Sequence, residues 1–404
     1  GFSEGTQLFL DGQLALRSFQ WTHAMGQGDA PEPDGFAGAN YGTAKALNVF
    51  GGPMLGASLR LGELVLGAAA YAPFGGNLHF ARNDAFASSM YPAAADGVAR
   101  WHGYEAATMS VYLTAGAAYR FGPLAIGLTS NLIYTTLSLQ RAQNLNGSND
   151  LTAEGRSRLA VSGVHGSFGA GLMLEALPRT LWLGLSYQAQ PGLGTMQLDG
   201  KLEVDATVPR GAVMLTQDVT MHQALPDILR LGARLRPSSR LELRVASDWT
   251  RWNVLRTQCV AIQGQSCLVS SDGGAAAGSG SVLNLRRYFH NTLGVRAGAS
   301  VWLSDPLELF AGLGYETAAA PDATLEPVLA DAANVSLALG GRLAIFERCS
   351  LAASYTHLQF LSRDNTGRST LADPDVALIT RRPDAGGRYT QWVGILNANV
   401  SYTF

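Results

Sequence analysis

The sequence predicts an all-β protein, a transmembrane antiparallel β-barrel of about fourteen strands with short periplasmic turns and long extracellular loops. Three observations support this fold class. The chain is weakly charged and rich in glycine but lacks a long apolar run, its apolar and polar residues alternate with a period of two, and short connections alternate with long ones. We expect one barrel domain to extend over residues 1–404.

The composition excludes several classes of protein. Of 404 residues, 47% are hydrophobic, 15% are charged and 47 are glycine, whereas a soluble domain carries about 25% charged residues. No run of eighteen apolar residues occurs, which excludes transmembrane helices. The net charge of −2 provides no basic surface for nucleic acid, so no nucleic-acid partner is expected.

The alternation is clearest at the C-terminus. Trp392, Leu396 and Val400 lie on one face of a strand, and Asn397 and Asn399 lie on the other. The same division recurs over residues 7–17 and 241–248. Such a strand suits a membrane barrel, in which the apolar face meets lipid and the polar face lines the lumen. It would also suit a soluble sandwich, so the alternation alone does not separate the two folds.

The lengths of the connections separate these two folds. Six tight, turn-forming segments are predicted at residues 60–63, 120–123, 177–180, 236–239, 304–306 and 346–348. Seven longer connections are predicted at roughly 22–50, 75–103, 142–156, 191–222, 253–284, 318–332 and 362–387. Bacterial outer-membrane barrels show this asymmetry between short periplasmic turns and long outer loops, and a sandwich has no reason to maintain it. Aromatic residues near the tight turns indicate an interfacial girdle, namely Tyr119, Phe121, Trp182, Trp302, Phe346 and Phe404.

Three segments carry a resemblance to a known family. Leu225-Pro226-Asp227 precedes a Leu-Gly-Ala strand, a tight turn and a strand that ends in Asp248-Trp249-Thr250-Arg251-Trp252. Tyr71-Ala72-Pro73-Phe74-Gly75 stands at the predicted end of the third strand, and a further hairpin runs from Gly169 to Tyr187. In order and spacing, these segments resemble the FadL family of outer-membrane transporters.

The resemblance implies both a mechanism and a difference. FadL-like barrels have fourteen strands and an N-terminal hatch that plugs the lumen, and they capture long-chain fatty acids or other hydrophobic molecules outside and release them laterally through the wall. This chain begins only a few residues before its first predicted strand, so we expect the hatch to be missing from it.

Two segments are candidates for handling the substrate. The second long loop is rich in large apolar side chains, which form a candidate capture surface or pack the loop onto the barrel rim: Phe80, Phe86, Met90, Tyr91 and Trp101. Pro73-Phe74-Gly75-Gly76 interrupts strand pairing in one interpretation, because proline lacks the N–H donor and glycine favours bulges. The resulting kink would open a lateral gap. In the other interpretation the segment is an ordinary strand end.

Inward-facing arginines are candidate anchors for an acidic head group. The period of two places Arg230, Arg244 and Arg296 on the lumen side, since a charge facing lipid would cost about 2–4 kcal/mol at the midplane. An arginine there would bind a carboxylate by paired hydrogen bonds. The alternative is that these arginines pair with neighbouring carboxylates and fill the lumen.

Cys259 and Cys267 lie in a glycine- and serine-rich stretch and are candidates for a loop disulfide in an oxidising compartment. A metal pair is the alternative, but no histidine lies near them. We expect neither a metal nor a cofactor. His165 and Ser167 would share a strand face, as a base and its nucleophile would, but both are predicted to point inward, and no enzymatic activity is expected.

The predicted function is passive uptake of hydrophobic small molecules, such as long-chain fatty acids, across the outer membrane of a Gram-negative bacterium. Outer loops would capture the molecule, which would pass through the lumen or a lateral opening in the wall. The alternatives are a water-filled porin for small polar solutes and a non-transporting barrel that anchors a surface assembly. The expected partners are membrane lipid and the hydrophobic substrate, and a monomer is expected.

Overall fold

The computed structural model describes residues 5–144, 146–208, 211–271, 273–376 and 380–404. Fourteen of its strands form a closed antiparallel barrel, which confirms the predicted fold class. These strands are β1 (Gln7–His23), β2 (Gly42–Leu61), β3 (Leu64–His79), β4 (Glu105–Phe121), β5 (Leu124–Gln143), β6 (Gly155–Leu177), β7 (Leu181–Gln188), β10 (Ile228–Ser238), β11 (Leu241–Thr250), β14 (Thr292–Ser304), β15 (Leu307–Glu316), β16 (Asn334–Phe346), β17 (Cys349–Phe360) and β19 (Gly387–Thr403). The barrel closes between β1 and β19, with Gln7 opposite Thr403 and His23 opposite Gly387.

Four more strands extend the upper part of β6 above the barrel. They are β8 (Thr195–Val208), β9 (Gly211–Ala224), β12 (Thr257–Ile262) and β13 (Ser281–Arg286). The lower part of β6 pairs with β7, whereas Arg156–Ser162 pairs with β8, and the order then continues through β9 and β12 to β13. A two-residue strand, β18 (Arg363–Asp364), pairs with β19. The extension therefore lies among the long connections at the upper end of the barrel.

All six predicted tight turns join neighbouring barrel strands at the lower end. The longer connections are at the upper end and span residues 24–41, 80–104, 144–154, 189–227, 251–291, 317–333 and 361–386. The first three of them are shorter than predicted, because β2 begins at Gly42, β3 continues to His79 and β5 and β6 extend to Gln143 and Gly155. As a result, Pro73–Gly76 lies inside β3 rather than beyond its end. No helix among the described residues is long and apolar enough to cross a membrane.

The outer face of the barrel is apolar. On β1, Leu8, Leu10 and Leu14 are about half exposed, whereas Asp11 and Ala15 on the opposite face are buried. The same alternation produces a band of exposed leucine and valine side chains around the barrel. Because each of these side chains would meet water in a soluble protein, the band is a lipid-facing surface.

The aromatic girdle is only partly on this surface. Tyr119, Phe121, Phe346 and Phe404 are exposed at the lower rim. Trp182 and Trp302 instead face the lumen, where Arg234 and Arg236 lie 4.7 and 4.8 Å above their rings. A cation over an aromatic face is a favourable contact, so these two tryptophans belong to the polar interior.

Candidate functional site

The upper part of the lumen holds a cavity of about 420 Å³, a size typical of small-molecule sites. Its walls come from β1, β3, β4, β5 and β6, from β9, β12 and β13 of the extension, and from the connections at 189–227, 251–291 and 317–333. Most of the lining is apolar and includes Phe74, Leu78, Leu137, Leu139, Leu159, Met221, Trp252, Leu255, Leu285, Phe289, Val328 and Leu329. Replacement of water by an apolar molecule in this cavity is therefore favourable in free energy.

The wall beside this cavity contains a gap between β2 and β3. The two strands pair from Leu61 and Leu64 upward to Leu55 and Ala70, and their ladder ends there. Above that point β2 pairs only with β1, and β3 pairs only with β4. The unpaired edges are residues 50–54 of β2 and residues 71–76 of β3. We refer to this interruption as the lateral gap.

The sequence explains the interruption. On β3 the register with β4 shifts between Tyr71 and Phe74, so Ala72 and Pro73 form a bulge. Pro73 has no N–H to give to a neighbour. Gly51, Gly52 and Pro53 form the opposite edge on β2. Backbone without ladder partners is tolerated at membrane depth only where it borders a cavity, and the cavity lining does include Pro73–Gly76.

The height of the gap follows from the strand length. A tilted strand crosses the hydrocarbon in about nine to eleven residues. The gap begins at Tyr71, the eighth residue of β3 counted from the lower turn. It therefore lies at the level of the outer half of the hydrocarbon layer and its outer boundary.

Arg17 differs from the other arginine of the cavity lining because its guanidinium has no carboxylate partner among the described residues. Its Nε and Nη2 both donate to Oε1 of Gln391, at 3.2 and 2.8 Å. No carboxylate lies within 4 Å of it in the described part of the chain. Arg17 is opposite Asn48 in the β1–β2 ladder, which puts it at the height of the upper end of the gap. A guanidinium without a counter-ion in an apolar chamber favours an anionic ligand.

Arg287, the other arginine of the lining, is already paired. Its Nε donates to Gln258 Oε1 at 2.7 Å, and its Nη1 donates to Glu326 Oε1 at 2.5 Å. Gln258 in turn donates to Gln223 at 2.8 Å. This polar side of the cavity is therefore satisfied by the protein itself.

The cavity has an aromatic floor. Phe74 lies 6.4 Å from Tyr112 and 6.3 Å from Trp252, and Tyr71 lies 5.5 Å from Tyr112, measured between ring centroids. Below these rings is a second cavity of about 630 Å³, which is lined partly by Tyr71, Asn131 and Arg230. The aromatic layer thus separates the upper chamber from the lower one.

The cavity is closed above by a cap whose centre is the buried carboxylate of Glu326. Three cationic or ionisable groups surround it: Arg287 Nη1 at 2.5 Å, Arg382 Nη1 at 3.0 Å and His102 Nδ1 at 3.4 Å. Burial alone would raise the pKa of Glu326, but Arg382, Arg287 and His102 hold it well below its usual range. Burial lowers the pKa of His102. The four residues come from four connections, at 80–104, 251–291, 317–333 and 361–386.

Other buried bonds strengthen the cap. Arg100, fully buried, donates to Glu154 and to Asn40. His23 lies 3.3 Å from Asp29, and its Nδ1 is 2.7 Å from the carbonyl of Gly386. Around these groups pack Phe19, Trp21, Phe80, Phe289, Leu325 and Tyr389. The extracellular connections therefore form a compact cap, which plugs the upper end of the barrel.

The predicted loop residues lie mostly inside this plug. Phe80 and Trp101 are 1% and 2% exposed, and Trp101 donates to Asn40 at 3.0 Å. Phe86 and Tyr91 pack against Phe36. Four of the five candidates are thus placed as the packing alternative describes. Met90, which is 80% exposed, remains as an outward-facing apolar side chain.

The three predicted arginine anchors differ from one another. Arg244 pairs with Glu242 and is 3.9 Å from Glu308, and Arg296 pairs with Asp248 and Glu316. Arg230 has no ion-pair partner among the described residues and lines the lower cavity. None of the three lines the upper cavity.

Cys259 and Cys267 are joined in a disulfide with their Cα atoms 6.2 Å apart. Among the described residues no cluster of histidine, cysteine and carboxylate groups could hold a metal. His165 and Ser167 have separate partners, because Gln197 N donates to His165 Nε2 and Asn131 donates to Ser167. Nothing in these contacts forms a nucleophile and its base.

Sequence reasoning missed Arg17, Gln391 and Glu326 as site residues. For Arg17 a signal existed, because the period of two already placed it on the polar face of β1. Its significance depends on the absence of a nearby carboxylate, which only the fold reveals. Glu326 and its partners lie in irregular connections, where no periodic pattern marks them.

Comparison with known proteins agrees with this architecture. The model of the "Outer membrane protein transport protein (OMPP1/FadL/TodX)" family matches residues 64–404. None of the curated proteins matches the chain.

Solved structures share the fold at low sequence identity. A Pseudomonas aeruginosa FadL homologue superposes with a TM-score of 0.80 at 14% identity, covering 100% of this chain and 91% of that one. The P. putida toluene transporter TodX gives 0.67 at 15%, covering 100% and 91%. The Ralstonia pickettii toluene transporter TbuX gives 0.64 at 14%, covering 99% and 90%. The family match and the lipid-facing barrel place the protein in the bacterial outer membrane. The chain belongs to the FadL/TodX family of outer-membrane transporters of hydrophobic compounds.

Proposed function

We propose that this protein takes up hydrophobic small molecules passively and releases them into the outer membrane through the lateral gap. The observation that carries the proposal is the unpaired edge at Pro73–Gly76, which borders both the apolar cavity and the lipid-facing wall. A molecule that partitions into the cavity can leave sideways without crossing the aromatic floor. The driving force is the transfer of apolar surface from water to hydrocarbon.

Arg17 favours a long-chain fatty acid over a neutral hydrocarbon as the substrate. The guanidinium of Arg17 retains donors beyond the two bonds given to Gln391, and a substrate carboxylate would accept them. The acyl chain would then lie along Leu137, Leu159 and Met221. Toluene, the substrate in the names of two of the similar structures, has no group for this arginine.

The alternatives are less well supported. A porin for polar solutes needs a water-filled path, whereas here the upper cavity is apolar and lies beneath the cap. A non-transporting anchor gives no reason for an apolar chamber that is continuous with a gap in the wall. Among the described residues no catalytic arrangement supports an enzymatic role. We propose that one barrel acts alone, since the cavity, gap and cap are all built from this chain.

The test is to fill the gap from inside. A Cβ added to Gly76 meets no atom within 4 Å, so Gly76→Trp should fold and place its ring in the cavity beside the gap. Gly12→Trp is the matched control, because Gly12 is exposed on the lipid-facing side of β1, within complete ladders. The measurement is the uptake of radiolabelled oleate by cells that depend on this protein.

Gly76→Trp should reduce uptake to the level of cells without the protein, and Gly12→Trp should leave uptake unchanged. Planar-bilayer conductance of the wild type should be small because the cap is closed. Full oleate uptake by a folded Gly76→Trp variant would overturn the lateral route. A large steady conductance of the wild type would instead favour the porin.

A further inference from the structure

The lateral gap has a defined upper end, and that end is made by side chains rather than by a backbone ladder. The Nδ2 of Asn77 on β3 donates to the carbonyl of Val49 on β2, at 3.4 Å. The Nδ2 of Asn48 on β2 donates to the carbonyl of His79 on β3, at 3.2 Å. Each asparagine therefore reaches across to the main chain of the other strand.

The two amides lie on opposite faces of the wall. Asn48 is 6% exposed and points inward, together with Ala44 and Ala46. Asn77 is exposed and points outward, on the face opposite Leu78. One bond therefore closes the upper end of the gap on the lumen side, and the other closes it on the lipid side. We call this pair the asparagine clamp.

Four glycines lie on the two edges below the clamp, among larger side chains such as Phe50 and Phe74. Gly51 and Gly52 stand on β2, and Gly75 and Gly76 stand on β3. A Cβ added to Gly52 or to Gly76 would meet no atom within 4 Å. The width of the gap is therefore controlled by how far the two strands can separate, and the clamp is what holds them together at the upper end.

The clamp differs from the closure at the lower end. There, seven consecutive residue pairs of β2 and β3 form a continuous ladder, from Leu55 opposite Ala70 to Leu61 opposite Leu64. At the upper end two side-chain bonds hold the strands, followed by a backbone bond from Ala81 N to Lys45 O at 2.8 Å. Side-chain amides can rotate away from a carbonyl without moving the backbone, so the gap can lengthen upward but not downward.

We propose that Asn48 and Asn77 determine the size selectivity of the lateral gap, a proposal that rests on the lateral route proposed above. With the clamp closed, the unpaired edge of β3 spans six residues, or roughly 20 Å along the strand. A single flexible acyl chain passes through this slot. A wide, rigid ring system requires the strands to separate further, which the two amides resist.

The experiment removes both amides and compares two probes. Wild-type protein and the Asn48→Val/Asn77→Val variant are reconstituted in vesicles, and transfer of radiolabelled oleate and of pyrene-labelled dodecanoate is measured. The variant should transfer the pyrene probe about thirtyfold faster, as expected from the loss of two neutral hydrogen bonds. Oleate transfer should stay within about twofold, because the slot already admits it.

Asn397→Val is the matched control. The Nδ2 of Asn397 donates a hydrogen bond to Asp11 Oδ1 at 2.9 Å within the complete β1–β19 ladder. Loss of this hydrogen bond should change neither transfer rate. Asn77→Val alone serves as the second variant, because Asn77 is exposed and its replacement leaves the buried side of the wall intact. It should produce a smaller increase for the pyrene probe only.

Equal acceleration of both probes, or no change in either by folded variants, would overturn the clamp. Gly76→Trp run in parallel keeps the two proposals distinguishable. If Gly76→Trp blocks oleate while the asparagine variants behave as wild type, the lateral route stands and the clamp fails. If Gly76→Trp does not block oleate, the lateral route itself fails.

Discussion

The two ends of the upper cavity are built in opposite ways. Toward the outside, the cap joins four connections through the buried Glu326 carboxylate and its cationic partners. Toward the membrane, the upper part of the wall between β2 and β3 has no backbone ladder and is held by two hydrogen bonds from asparagine side chains. The protein is thus closed toward water and weakly closed toward lipid.

Under the proposed lateral route, this difference lets the barrel deliver apolar molecules without leaking polar ones. Water and ions would have to break a buried ion-pair cluster, in which removal of one partner costs about 3–5 kcal/mol. Along the proposed lateral route, an apolar molecule leaves between two unpaired strand edges, which two neutral hydrogen bonds of about 1 kcal/mol each hold at their upper end. Selectivity therefore follows from the strength of the two closures.

Loss of the central charge of the cap should have the largest effect. Glu326→Gln leaves Arg287 and Arg382 buried without a counter-ion, which should destabilise the cap by about 3–5 kcal/mol. We expect a steady ion conductance in planar bilayers and faster proteolysis of the extracellular connections. The control is Glu308→Gln, which removes a buried carboxylate that pairs with Arg342 inside the barrel, away from the cap. If Glu326→Gln stays as closed as the wild type, the cluster does not hold the cap.

Removing Arg17, the proposed carboxylate anchor in the upper cavity, should have a smaller effect. Arg17→Gln should weaken oleate binding about tenfold, since a charge-assisted hydrogen bond contributes about 1.5–3 kcal/mol and 1.4 kcal/mol corresponds to tenfold. Arg244→Gln is the control, because Arg244 is paired with Glu242. Calorimetric titration of the purified protein measures both variants. An equal loss for Arg244→Gln would show that the anchor lies elsewhere.

The smallest expected effect is the loss of cap stability at acidic pH. Burial lowers the pKa of His102 in the closed cap, and an exposed histidine titrates near 6.5. Protonation of His102 therefore favours the loosened cap. The contribution of neutral His102 to the stability of the closed cap is present above about pH 6.5 and is lost as the pH falls below that value. The titratable groups that act electrostatically on His102 are Glu326, Arg382 and His23. Asp384, whose pKa is raised by burial, contributes in the opposite direction.

Proteolysis of the extracellular connections should accordingly be faster at pH 5.5 than at pH 7.5 in the wild type. His102→Gln should reduce this difference, while Asp384→Asn should increase it. The slope for one group is at most about 1.4 kcal/mol per pH unit. A pH dependence that is unchanged in His102→Gln would assign the acid response to another residue.

The sequence predicted the regular part of the fold because barrel strands repeat a simple physical pattern. The period of two and the six tight turns depend only on neighbouring residues, and both appear in the structure. The end of β3 was misplaced because Pro73–Gly76 has the composition of a turn, whereas β4 keeps the segment extended by pairing on one side only. A single sequence does not reveal that a strand has lost one neighbour.

The candidate site was harder to predict because its members meet only through the fold. Arg17 and Gln391 are 374 residues apart, and Glu326 gathers partners from positions as distant as His102 and Arg382. The apolar residues of the second loop were visible in the sequence, but hydrophobicity alone does not distinguish a buried plug from an exposed capture surface. Phe80 and Trp101 belong to the plug.

The most direct test of the lateral route is to map the bound molecule. Oleate with a photoreactive diazirine at its methyl end can be bound to the wild-type protein, irradiated and located by peptide mass spectrometry. We predict labels on cavity residues such as Phe74, Leu137 and Met221, and loss of these labels in Gly76→Trp. Labels confined to the lower lumen around Arg230 or to the outer surface at Met90 would contradict the account.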